Sequence, residues 1–254
     1  MEIETKILLA QQLNEQMAPL SLVGRISLIG EKFPKAVFTT SLGLEDQVVT
    51  WAIAAIAQQT RSIRIATLRT GRLFLTTVKL LAKTKKHFAL DIIEYAPDAN
   101  ELKDYLKKYS LNGFYESKQA RLACCFVRKI APLKRALSGA DAWVTGLRKE
   151  QSVNRSNIVF AQYDSEYNLI KLNPLADLSL AELTKIISEN NIPINPLHKK
   201  NYPSIGCEPC TRAIKQGEDE RAGRWWWEKD DKRECGLHLP QSAPSPISIQ
   251  HSET

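Results

Sequence analysis

The chain has 254 residues, 43% of them hydrophobic, which is enough to bury a sizeable core and excludes global disorder. Its 35 Lys and Arg against 28 Asp and Glu leave a net charge of +7, which describes a solvated, slightly basic surface and also suits an anionic substrate or nucleic acid. Met1-Glu2-Ile3-Glu4 is no secretory signal, the apolar run Trp51 to Ala57 is too short to span a bilayer, and five cysteines in such a chain read as metal ligands or catalytic thiols of a soluble, cytoplasmic protein.

Residues 1–35 carry apolar side chains at helical spacing (Ile7, Leu8, Leu13, Leu20, Leu22, Ile26, Ile29) with a break at Pro19, and predict an N-terminal helical segment. Ala36 to Thr40 predicts a buried strand. The small-residue turn Ser41-Leu42-Gly43-Leu44-Glu45-Asp46 follows, then a helix from about Gln47 to Gln58. Such a turn can offer backbone N–H groups to a phosphate, although it lacks the Gly-Lys-Ser/Thr of a Walker loop. A second strand, Ile63 to Leu68, leads into Thr70-Gly71-Arg72-Leu73 and a helix to about His87. Leu90 to Tyr95 predicts a third strand and Asn100 to Tyr109 another helix. Strands alternating with helices predict a doubly wound, mostly parallel α/β sheet, whose ligands bind beyond the C-terminal strand ends. Both turns fall at such ends.

Arg121 to Leu137 has helical spacing and contains Cys124 and Cys125, with Pro132 as a kink or a new first turn. Asp141 to Thr145 predicts a strand that ends at Gly146-Leu147-Arg148-Lys149. Ile158 to Tyr163 and Leu169 to Leu172 predict two more, and Ser179-Leu180-Ala181-Glu182 is a capping box before a helix to about Asn190. After Pro240 the Ser-, Pro- and Gln-rich composition is that of a mobile tail. The expected organisation is a helical segment at 1–35, an α/β domain that binds nucleotide and metal at 36–212, and a C-terminal tail at 213–254.

The cysteines divide into sets. Cys124 and Cys125 are adjacent, and Cys207 and Cys210 form a CxxC 82 residues further on. Four thiolates suit a tetrahedral zinc or a [4Fe–4S] cluster. Adjacent helical residues point about 100° apart, which strains a single small ion but suits the spread corners of a cubane. This places the cluster ahead of zinc. A disulfide oxidoreductase needs only the CxxC and leaves the tandem pair unexplained. The fifth cysteine, Cys235, follows Lys232 and Arg233 and precedes His238; nearby cations raise the thiolate fraction of such a thiol.

Together, Cys124-Cys125-Phe126-Val127-Arg128-Lys129, Ser204-Ile205-Gly206-Cys207-Glu208-Pro209-Cys210-Thr211-Arg212, Gly223-Arg224-Trp225-Trp226-Trp227-Glu228 and Glu234-Cys235-Gly236-Leu237-His238 resemble the assimilatory adenylyl-sulfate (APS) reductases of the phosphoadenylyl-sulfate (PAPS) reductase family. The resemblance covers about residues 36–238. It implies an adenine nucleotide alpha hydrolase-like fold with a mobile C-terminal tail that carries the nucleophile. It further implies reduction of APS to sulfite and AMP, with Cys235 as nucleophile, an S-sulfocysteine intermediate, and thioredoxin as electron donor. Cys124, Cys125, Cys207 and Cys210 match the ligands of a [4Fe–4S] cluster. Lys129, Arg148, Arg221 and Arg224 match basic residues around the phosphosulfate. Ser41, Gly43, Glu45, Asp46, Thr70, Gly71 and Arg72 fall in the matching nucleotide loops, and His238 joins the substrate-binding set. The resemblance also suggests a homo-oligomer, without nucleic-acid or membrane partners.

The chain departs from the family pattern where Leu-Asp-Thr-Gly-Arg-Leu is usual. Here Arg69 replaces the acid, and Leu75-Thr76 replaces the Pro-Glu that follows. The alternatives are the same chemistry on PAPS, a tRNA sulfur-transfer enzyme, and a nucleotide-binding redox sensor without turnover. The four cluster cysteines favour APS over PAPS.

Overall fold

Six short strands alternate their side chains between two apolar layers, and that alternation builds the molecule. In the computed structural model, residues 2–57, 63–152 and 155–228 are described. The strands are β1 Val37–Thr40, β2 Arg64–Leu68, β3 Ile92–Tyr95, β4 Ala142–Val144, β5 Ala161–Asp164 and β6 Leu169–Leu172. They form one sheet in the order β3-β2-β1-β4-β6-β5, parallel throughout except for the antiparallel β5–β6 pair. This is the expected doubly wound, mostly parallel α/β fold.

The helices are α1 Ile3–Met17, α2 Leu22–Lys32, α3 Leu44–Ile56, α4 Leu75–Phe88, α5 Ala99–Tyr109, α6 Lys118–Cys125, α7 Ala131–Leu137 and α8 Leu180–Glu189. Phe38, Ile65, Ala142 and Val144 point into the larger core, beside Leu13 and Met17 of α1, Ile26 and Ile29 of α2, Val49 and Ile53 of α3, and Leu183 of α8. Their neighbours Val37, Ala66 and Trp143 point the other way, onto Leu133, Ala136 and Leu137 of α7. Each fully buried Leu, Ile or Phe contributes about 2 kcal/mol of transfer free energy.

The edge strand β5 begins three residues later than the spacing predicts, because Ile158 is still in a turn, its N–H donating to the Arg155 carbonyl. Helix α1 covers this edge. The Asn14 side chain pairs with both the N–H and the carbonyl of Ala161, at 3.0 and 2.7 Å, which occupies groups that would otherwise recruit another strand. No helix among the described residues is long and apolar enough to cross a membrane.

The helical run predicted from Arg121 to Leu137 is interrupted. After α6, residues Phe126–Ile130 form a π turn before α7, with the Ala131 N–H donating to the Phe126 carbonyl. Pro132 has no N–H to give the carbonyl four residues back, and a widened turn accommodates that missing bond. Lys129 is therefore not simply one α turn beyond Cys125.

Candidate active site

Strand β1 has β2 on one side and β4 on the other, and the chain winds outward in opposite directions from this point. Such a reversal leaves a crevice beyond the C-terminal strand ends. Here it is a cavity of about 230 Å³, floored by Thr39 to Gly43 at the end of β1, Thr67, Leu68 and Thr70 at the end of β2, and Thr145 to Leu147 after β4. The β1 turn is held by Asp46, which accepts from the Ser41 N–H at 2.5 Å and the Ser41 hydroxyl at 2.6 Å. Leu42 adopts a left-handed φ of 63°, and Gly43 caps α3. Asp46 is buried, and burial pushes its carboxyl up to about 6 despite the two Ser41 hydrogen bonds. Gly146 makes this packing feasible, since a Cβ there would lie 2.2 Å from Asp46 Oδ1.

A second, smaller cavity of about 20 Å³ is lined by Cys124, Cys125, Cys207 and Cys210, together with Arg72, Phe114, Arg121, Arg128, Lys129, Pro209 and Trp225. None of the four cysteines is in a disulfide. The tandem pair ends α6, whose start is capped by Ser117 accepting from the Ala120 N–H. The CxxC lies in a 3₁₀ turn that is fastened to the end of β2. Thr70 Oγ1 meets Cys207 Sγ at 3.3 Å, Leu73 forms a bridge with Cys207, and the Glu208 N–H donates to the Arg72 carbonyl at 2.8 Å. Tyr115 adds a hydrogen bond from its hydroxyl to the Pro209 carbonyl at 2.7 Å. The stretch around Cys207 thus folds back across the sheet, as its pairing with Cys124 and Cys125 requires.

The electrostatics of this cavity suit a cofactor that binds thiolates. Burial, then Cys207, pushes the Cys210 thiol up to about 12, against Lys129 and Arg224. Burial likewise raises Cys124, opposed by Arg128. Without a metal, these sulfurs are held protonated; a bound cation would reverse that. Two donors of lining residues, Arg128 Nε and Trp225 Nε1, are buried with no acceptor among the described residues, and inorganic sulfide or thiolate sulfur would supply one. Among the described residues no three His, Cys, Asp or Glu side chains form a group that could hold a metal ion. The four thiols line a common cavity without converging on one point.

Lys129, Cys207 and Trp225 line both cavities. Trp225 is buried, has a left-handed φ of 44°, and its ring has the guanidinium of Arg121 at 5.0 Å and that of Arg224 at 4.7 Å. Its backbone N–H donates to the Cys210 carbonyl. Gly223 and Gly206 permit this approach. A Cβ on the first would sit 2.3 Å from the Arg212 carbonyl oxygen, and one on the second 2.2 Å from the Arg224 guanidinium. Just beyond, Glu228 accepts two bonds from Arg121, at 2.5 and 3.0 Å.

A phosphoadenosine phosphosulfate reductase domain matches residues 35–213. The chain belongs to this family. It is 53% identical to the adenosine 5'-phosphosulfate reductase of Agrobacterium fabrum over 92% of this chain and 89% of that one. It is 50% identical to the protein of the same name from Allochromatium vinosum, over 86% of this chain and 84% of the other. Among solved structures, the phosphoadenylyl-sulfate (PAPS) reductase from Candida auris, in its phosphate complex, superposes with a TM-score of 0.68 at 25% identity, covering 81% of this chain and 96% of that one.

Within this reductase-family chain the structure sorts the expected site residues into groups. Ser41, Gly43, Glu45, Asp46, Thr70, Lys129, Arg221 and Arg224 line the larger cavity. Gly71 and Arg72 do not. Gly71 has a φ of 72°, which turns the chain toward the cysteines, and Arg72 lines their cavity while donating to Leu111 and Asn112. Arg148 is also off the cavity wall. It is 1% exposed, its Nε donating to Glu45 at 3.1 Å and its Nη1 to the Leu178 carbonyl at 3.2 Å, so it backs a lining residue. Arg69 points to the surface, where it pairs with Glu94 at 2.5 Å and touches neither cavity. Cys235 and His238 lie outside the described residues.

Other lining residues were not singled out by motif. Arg121 and Arg128 join the cysteine cavity, the latter donating to the Thr70 carbonyl at 2.7 Å. Gln151, Arg155, His198 and Glu220 join the larger one. Arg121 and Arg128 fall three residues on either side of the tandem pair, one α-helical turn before and a wider turn after, and that spacing was the available signal.

Proposed function

We propose that this chain is a thioredoxin-dependent APS reductase that forms sulfite and AMP through an S-sulfocysteine on Cys235. The observation that carries this reading is the wall of Lys129, Cys207 and Trp225 shared by a nucleotide-sized cavity and a four-cysteine cavity. The relatives named adenosine 5'-phosphosulfate reductase, matched over nearly their whole length, support the choice of APS.

The adenosine of APS occupies the cavity beyond β1 and β4, and its phosphosulfate faces Lys129, Arg221 and Arg224. A thiolate attacking an anionic sulfonyl group meets charge repulsion, and preorganised cations lower that cost. The Cys235 thiolate forms a bond to the sulfate sulfur. The bond from that sulfur to the bridging phosphate oxygen breaks, and AMP leaves with the electron pair. A thiolate of reduced thioredoxin then attacks Cys235 Sγ, sulfite leaves with the S–S electron pair, and the second thioredoxin thiol resolves the mixed disulfide. Two electrons pass from thioredoxin to the sulfonyl sulfur. Arg gives bidentate contacts to phosphate and sulfate oxygens, and Lys129 acts as a point charge.

Cys124, Cys125, Cys207 and Cys210 would hold a [4Fe–4S] cluster. Bound there, the cluster supplies a local field beside Lys129. Anaerobically purified protein should be brown, with about four iron and four sulfide per chain; a colourless, zinc-loaded preparation would sink the cluster assignment. Sulfite release from APS and PAPS, with thioredoxin as donor, tests the substrate. Cys235→Ser should keep AMP binding and iron but form no sulfite, and sustained turnover by that variant removes Cys235 from the role.

A further inference from the structure

Helix α5 buries a single residue, and that residue is a tyrosine. Within Ala99–Tyr109 only Tyr105 is buried, at 4% exposure, while Glu101, Lys103, Asp104, Lys107 and Lys108 stay in solvent. The helix packs on α6, which carries the tandem cysteines, and on the π turn that follows them. The Tyr105 ring lies 5.5 Å from that of Tyr109, a contact that a phenyl ring would make equally well.

The hydroxyl is what packing does not explain. It is buried and makes no hydrogen bond to any described residue. A buried hydroxyl left unpaired costs about 1–3 kcal/mol. Its polar neighbour is the Cys124 thiol, on the adjoining helix. Burial, then the Cys124 sulfur, pushes the phenol up, so Tyr105 remains an O–H donor. Burial also raises the Cys124 thiol, and Arg128 and then the Tyr105 hydroxyl pull it back down. A neutral thiol is a weak acceptor, whereas a thiolate takes a strong, charge-assisted hydrogen bond. The hydroxyl is therefore matched to Cys124 in its deprotonated form. Donor and acceptor both belong to the protein interior, so the contact needs no opening to solvent.

We propose that the Tyr105 hydroxyl donates a hydrogen bond to Cys124 Sγ when that sulfur is a cluster ligand, which makes Tyr105 a positioning residue that sets the electron density on this ligand. The inference rests on the [4Fe–4S] reading of the four cysteines. Thr70 Oγ1 already meets Cys207 Sγ at 3.3 Å, so each cysteine pair receives one side-chain hydroxyl. A hydrogen bond to a ligand sulfur withdraws electron density from it, weakens the iron–sulfur bond and raises the reduction potential.

Resonance Raman spectra and dye-mediated redox titration of the anaerobically purified full chain provide the test. Tyr105→Phe keeps the ring and should keep about four iron per chain. Its iron–cysteine stretch should move up and its midpoint potential down. Placing 3-fluorotyrosine at position 105 supplies a more acidic donor of nearly the same size, and should move both quantities the opposite way. A ring that only fills space predicts no such ranking. Iron-loaded Tyr105→Phe with the bands and potential of wild type overturns the assignment. So does a fluorotyrosine variant that matches wild type or shifts in the same direction as Tyr105→Phe. If Tyr105→Phe takes up no iron, wild type and the fluorotyrosine variant decide the matter by the same ranking. Wild-type protein that carries zinc or no iron overturns the cluster reading, and this assignment with it; iron-loaded wild type without the ranking overturns this assignment alone.

Discussion

The two cavities share a wall yet are built in opposite ways. The floor of the larger is made of strand ends and their turns, shaped by one buried carboxylate, Asp46, and one glycine, Gly146, while Lys129, Arg155, Arg221 and Arg224 stand on its walls. The smaller is made of side chains alone, four sulfurs and the cations and aromatic rings around them. A floor built of backbone discriminates by shape and survives most side-chain changes. A pocket built of side chains depends on each of them. The contrast teaches that binding of nucleotide and binding of metal should be separable by mutation, although Lys129, Cys207 and Trp225 belong to both.

The largest expected separation comes from Cys207→Ser. It should abolish the brown colour and lower sulfite formation by about 100-fold or more, since losing even a partner that only orients a metal ligand costs about 10–100-fold, with AMP affinity changed much less. An equal loss of both, by iron analysis and calorimetry, would make the two cavities one cooperative unit. Gly146→Ala should do the reverse. Its Cβ would collide with Asp46 Oδ1, and such overpacking costs about 1–3 kcal/mol, so AMP binding should weaken while iron content stays at the wild-type level.

A subtler separation is in pH. The Asp46 carboxyl rises from 3.8 unfolded to about 6 folded, so folding favours its protonated form. Its contribution is fully present below about pH 4 and is lost as pH rises through about 6. Relative to Asp46→Asn, wild-type protein should therefore lose about 3 kcal/mol of stability across that window, read from urea midpoints at each pH. The smallest effect is expected at Arg69. Its side chain is 44% exposed and paired with Glu94, so Arg69→Ala should cost well under about 1 kcal/mol and leave AMP affinity within about twofold. A larger loss would mean that this position acts on the cavity through the backbone of β2.

The same contrast explains what could be read in the sequence. Strands buried on both faces and helices with apolar stripes were legible because each element reports its own environment, and the turn after β1 announced itself by its small residues. The four cysteines were legible as a set because a tandem pair and a CxxC have few other uses. The destination of the turn after β2 was not. Thr70, Gly71 and Arg72 look like a second nucleotide loop, but Thr70 meets Cys207 through its hydroxyl and Arg72 holds the Glu208 N–H through its carbonyl, contacts between residues more than 130 positions apart. Arg148 sits at a strand end as a phosphate ligand would, and Glu45 takes it. The π turn at Phe126 was hidden because Pro132 acts on a carbonyl four residues earlier.

The span between the two cysteine pairs also sets an order of events. By Leu147 a growing chain has supplied β1, β2, β4 and every turn that floors the larger cavity, whereas the CxxC is still more than 50 residues from being synthesised. The first two cysteines, Cys124 and Cys125, emerge long before their partners, and only the long-range docking of residues 207–210 onto β2 closes the ring. Closing contacts of such sequence separation come late. Nascent protein should thus pass through a stage in which the floor of the larger cavity is complete while Cys207 and Cys210 have yet to dock.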